Sequence, residues 1–112
     1  MTSVVSSSGW FAVRCLVLST YDDFSENCYE ERITLWRASS FQEAISKAEA
    51  EVREYLSGEE GAEYLDFAQA YMLVDHPEDG AEVFSLMRLS TLEPDHYLTQ
   101  FFDTGTERQG SV

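Results

Sequence analysis

Positive charge is scarce in this chain of 112 residues: Lys47 is the sole lysine, and with six arginines it stands against 21 acids, a formal net charge of −14. Such a field repels phosphate backbones, which argues against nucleic-acid binding by a basic groove. Long apolar runs are missing too, and none approaches the ~20 residues of a membrane span. The opening MTSVVSSSGW lacks the basic and apolar regions of a signal peptide, so a cytoplasmic location is expected, with no membrane role. Cysteine is limited to Cys15 and Cys28. If a hairpin turn is centred near Phe24, Cys15 faces a residue near Ile33 instead of Cys28, and a disulfide fails on geometry. Free thiols are expected, Cys15 as a small buried hydrophobe.

Signatures of catalysis are equally thin. The chain has no Gly-x-Gly-x-x-Gly or phosphate-loop pattern and no Gly-x-Ser-x-Gly elbow. His96 beside Asp95 has no nucleophile to serve. The turn Asp75-His76-Pro77-Glu78-Asp79 gathers acids without the spacing of a calcium loop, and reads as solvated. No catalytic residue, metal site or cofactor is expected, and the chain reads as a non-enzyme.

Apolar content is ample, with 44% hydrophobic and 13% aromatic residues, enough for one compact domain. Residues 10–103 are expected to form that domain, between flexible tails at 1–9 and 104–112. WFAVRCLVLS, residues 10–19, is rich in β-branched and aromatic residues and reads as a strand apolar on both faces. A polar YDDFSEN connection precedes a returning strand over 28–38. Ser40-Phe41-Gln42-Glu43 has the spacing of a capping box, and apolar residues follow at helical intervals to Gly58, which predicts a helix over 41–57. Residues 65–75 alternate as a strand, although Leu65, Ala68 and Met72 also suit a helix. Asp79-Gly80 then supplies turn chemistry before a clear strand pattern at 82–89. Pro94 and Asp95 suit a helix start, with a fifth strand as the alternative.

The expected fold is therefore α+β: a four-stranded antiparallel sheet in β-β-α-β-β order, one amphipathic helix on one face, and a short C-terminal helix or strand. The helix is expected to cover Phe11, Val13, Ile33 and Leu35. The other face would then show Arg14, Arg32, Trp36 and Arg88.

WFAVRCLV, YEERITLWRASSFQEAISKAE and DGAEVFS together resemble a bacterial family of short single-domain proteins of unknown function, across residues 10–89. The resemblance lies in the Trp-aromatic first strand, the Tyr-Glu-Glu run and the Asp-Gly-x-Glu-Val hairpin. It implies an α+β domain with no catalytic residues to transfer. Its association with genes near contact-dependent toxins implies an immunity-like role.

Three readings of function follow. In the first, the chain is a non-enzymatic acidic module that binds a basic protein, as an immunity or inhibitor-type protein would, through Asp22, Asp23, Glu26, Glu30, Glu31, Asp75, Glu78 and Asp79, with Arg32 and Trp36 beside them. In the second, Arg14, Arg32 and Arg88 on one sheet face sense an anion or small molecule. In the third, the chain is a structural subunit that self-associates through sheet faces or edges, giving a homodimer.

Overall fold

A computed structural model of the chain describes residues 8–20 and 26–102. The expected tails at 1–9 and 104–112 fall almost wholly outside the described residues. The strands are β1 (Gly9–Ser19), β2 (Cys28–Ala38) and β3 (Ala62–Met72), and the helices are α1 (Phe41–Tyr55) and α2 (Pro94–Phe101). The sheet is three-stranded in the order β2-β1-β3, with β1 antiparallel to both neighbours. The edge strands therefore run parallel to each other, and α1 carries the chain over β1 from one edge to the other.

Local sequence explains α1. The Ser40 hydroxyl accepts from the Glu43 backbone N–H at 3.0 Å, and the Glu43 carboxylate accepts from the Ser39 N–H at 2.6 Å. Both ends of the capping pattern are used, although the glutamate reaches one residue further back than expected. The Ser39 N–H foremost, and then the Ser39 hydroxyl, which donates to the same carboxylate at 3.0 Å, hold the Glu43 carboxyl below its ordinary range. Lys47 donates to the Arg37 carbonyl at 2.7 Å, tying α1 to the end of β2. Past the helix, Gly58 takes φ +82°, a conformation a side chain would strain.

α1 lays Ala44, Ala48 and Val52 on Phe11, Val13, Cys15 and Val17 of β1, with Trp36, Tyr64, Ala68 and Ala70 packed around them. The alanines let the helix approach the sheet closely. The burial of Phe11, Val13 and Val17 is nearly complete. Around Leu16 the β1–β3 register jumps: Cys15 pairs with Ala68 but Val17 with Tyr64. Asp66 lies in this bulge at φ +58°, a left-handed conformation that Asp tolerates better than most residues.

Two expectations need correction. The first is the sheet: it has three strands, and the element order is β-β-α-β-α. Residues 82–89 are not a fourth strand. Beyond Met72, Leu73 still donates to the Trp10 carbonyl at 2.9 Å, and a turn closed by Ala81 donating to Glu78 follows. The chain then leaves the β3 edge and crosses the sheet face, because its anchors are side chains lying on that face. Glu82 accepts from the Tyr71 hydroxyl, and the Phe84 ring lies 5.9 Å from that of Tyr71. The C-terminal element is helical, so the strand alternative fails.

The second correction concerns β2. Phe11 pairs with Trp36, Val13 with Thr34 and Cys15 with Arg32. This register differs by one residue from a turn centred on Phe24, and one residue exchanges the two faces. Arg32 and Trp36 therefore project towards α1, and Ile33 and Leu35 project to the far side.

Candidate functional site

The helix-facing side of β2 is occupied by structure. Arg32 makes a two-pronged ion pair with Glu51 of α1 at 2.6 and 3.2 Å, and its guanidinium lies 3.7 Å from the Tyr55 ring centre. The bond to Glu51 raises the Arg32 pKa above its ordinary value. Glu30 accepts from the Tyr55 hydroxyl at 3.1 Å, and the Trp36 indole N–H donates to Thr34 at 2.6 Å. Glu30 and Arg32, expected in a recognition face, thus fasten β2 to α1, and Trp36, expected there too, packs against the core beneath the helix.

Cys15 and Tyr64 lie under the same helix. Tyr64 donates to Glu49 at 2.6 Å. Its pKa is raised, first by burial and then by that carboxylate. Burial likewise pushes the Cys15 thiol up, which keeps it protonated. Cys28 is exposed, and both cysteines are free thiols.

The opposite side of the sheet is different in kind. Tyr29, Ile33 and Leu35 of β2 and Phe67 of β3 project there with relative exposures of 56, 48, 41 and 47%. Arg14 stands in the middle, bonded to Glu31 at 3.1 Å and also donating to Gln69. Its guanidinium lies 5.2 Å from the Phe84 ring centre. Arg14, Leu16, Glu31, Phe67 and Arg88 line a cavity of about 120 Å³. Two of the three arginines proposed for an anion therefore meet in one place, beside a carboxylate that already holds Arg14. Arg32 is on the other face and takes no part.

The acidic candidates do not converge. Asp22 and Asp23 lie outside the described residues. Glu26 and Glu31 are exposed near the Cys28 end of the sheet, whereas Asp75, Glu78 and Asp79 are exposed beyond the Met72 end. Cys28 pairs with Ser19, Glu31 with Leu16 and Met72 with Phe11; at about 3.3 Å per residue, Glu31 lies roughly 17 Å along β1 from the Met72 end, and the Cys28 end roughly 26 Å from it. Among the described residues, no three His, Cys, Asp or Glu side chains gather as a metal would need. Nor is any helix there long and apolar enough to cross a membrane.

The half-open apolar face is what sequence reading missed. Its signal was present in Ile33 and Leu35, but the expected register assigned both to the core. No family model, curated protein or solved structure matches the chain. The family resemblance across residues 10–89 therefore rests on its motifs alone.

Proposed function

We propose that this chain is a non-enzymatic protein-binding module that engages its partner through the open sheet face. One observation carries the reading: Tyr29, Ile33, Leu35 and Phe67, each more than 40% exposed, project from one side of a folded sheet around the Arg14–Glu31 ion pair. Apolar side chains left this exposed on one side of a sheet, here placed around the Arg14–Glu31 pair, mark an interaction site, since leaving them in water gains nothing for the monomer. The net charge of −14 favours a basic protein, drawn in by the acidic groups towards the two ends of the sheet. An immunity or inhibitor-type role, acting in the cytoplasm, fits this arrangement and the family resemblance.

The test is capture from an extract of the native cell, with the wild-type chain and an Ile33→Glu/Leu35→Glu variant as baits. A protein held by the wild type, lost from the variant and released by salt is the expected result. Capture that is indifferent to the variant would remove the face from the function.

A further inference from the structure

Residues 81–102 behave as an arm. Among the described residues, α2 packs against neither the sheet nor α1 and has no buried residue. It is held to the preceding segment by Arg88, which donates to the Tyr97 hydroxyl at 3.1 Å and lies 4.3 Å from the Phe101 ring centre. Residues 82–92 make no backbone–backbone hydrogen bond among the described residues. The segment is nonetheless strand-like in its alternation. Phe84 and Arg88 turn inward, onto Tyr71 and Arg14 and into the cavity beside Phe67. Met87 and Leu89, of the opposite parity, are 92 and 103% exposed.

A strand that covers a sheet and faces water should carry polar residues on its outer row. Here that row carries methionine and leucine. Beside the arm, on the same side of the sheet, the Tyr29, Ile33 and Leu35 surface of β2 is uncovered. One chain therefore presents two adjacent apolar surfaces, one projecting and one receiving. Charge sets the arm apart from the rest of the molecule. Residues 83–92, VFSLMRLSTL, contain no acid and one arginine in a chain of net charge −14. A basic partner finds little to hold on this patch, because Glu31 is already paired with Arg14.

We infer that the occupant of the open face is a second copy of this chain. Met87 and Leu89 of each arm seat on Tyr29, Ile33 and Leu35 of the other copy, about a two-fold axis. A projecting and a receiving surface on one molecule meet this way in a closed pair, with both buried at once. The inference rests on the reading of the open face as a binding surface, and it seats there a second acidic copy, which leaves any basic protein to the acidic groups off this face.

Sedimentation of the purified chain across a dilution series tests it. A dimer is expected, and it should tighten as salt rises, because salt screens the repulsion between two strongly acidic copies. Met87→Glu/Leu89→Glu should raise the dissociation constant more than about tenfold. These side chains touch little in the monomer, so folding is retained. Mixing this variant with Ile33→Glu/Leu35→Glu should restore association in part, since the mixed pair keeps one of the two arm-to-face contacts intact. A chain that stays monomeric at every concentration and salt overturns the inference. So does a dimer untouched by the arm variant. If the chain is monomeric yet still captures a protein dependent on Ile33 and Leu35, the inference fails and the binding-module reading stands. If neither measurement responds to those residues, both fail.

Discussion

The two sides of β1 carry similar side chains into different surroundings. Phe11, Val13, Cys15 and Val17 face α1 and are sealed. Ala12, Arg14, Leu16 and Leu18 face the arm, where only Ala12 is fully covered. The first side is closed by a helix fitted through small residues and tied by Arg32, Glu51 and Tyr55. The second is crossed by a segment held through a few side chains and without backbone pairing. The contrast shows that hydrophobic sequence on both faces of a strand need not mean two equivalent layers. One side is the core that makes the domain, and the other is only partly covered.

Substitutions can break or sharpen this contrast. Phe11→Ala removes a buried ring that meets Phe41 edge-on at 5.1 Å, and should cost about 3–5 kcal/mol in denaturant unfolding. Ile33→Ala on the open face should cost less than about 1 kcal/mol when measured on the monomer. Equal losses would mean that the two sides are not distinct. Next in size, Arg32→Met should cost about 1–3 kcal/mol, because the partly buried Glu51 carboxylate loses both hydrogen bonds. Arg14→Met, on the side with fewer ties, should cost less in the same assay. Smaller still, Asp66→Val should cost about 1–2 kcal/mol through its left-handed backbone, whereas Asp66→Gly should be close to neutral.

The least effect concerns pH. The Glu43 carboxyl is held below its ordinary value of 4.5 by the Ser39 bonds. Its contribution is therefore present above that pH and disappears as pH falls through the folded-state value. Stability curves of wild type and Glu43→Gln should differ at neutral pH and converge in acid. A difference that persists in acid would assign the effect to something other than ionisation.

Much of the covered side was legible in the sequence because its signals are local. The Ser40 cap, the helical spacing of Ala44, Ala48 and Val52, and the β-branched run of β1 need only a few neighbouring residues. The strand at residues 62–72 was less clear because its bulge interrupts the alternation, which explains why Leu65, Ala68 and Met72 imitate a helical stripe. The open side was not legible, because it depends on the β1–β2 register to a single residue. That register moved Ile33 and Leu35 out of the core and moved Arg32 and Trp36 under α1. Residues 82–89 carry a strand pattern, yet composition cannot say whether such a segment joins an edge or crosses a face. The aromatic and arginine contacts of Phe84 and Arg88 decide that, and their partners lie far away in sequence.

The bulge in β3 has a numerical consequence. Between Val17 and Cys15, β1 advances by two residues while β3 moves from Tyr64 to Ala68, a gain of two. An even surplus leaves both halves of the strand in phase, which is why Tyr64 and Ala68 both reach α1 across the interruption. Deleting one residue from 65–67 would turn half of β3 over and expose either Tyr64 or the Ala68 and Ala70 pair. Deleting two would shorten the strand and keep every remaining side chain on its own side. Length in this strand is tolerant only in pairs.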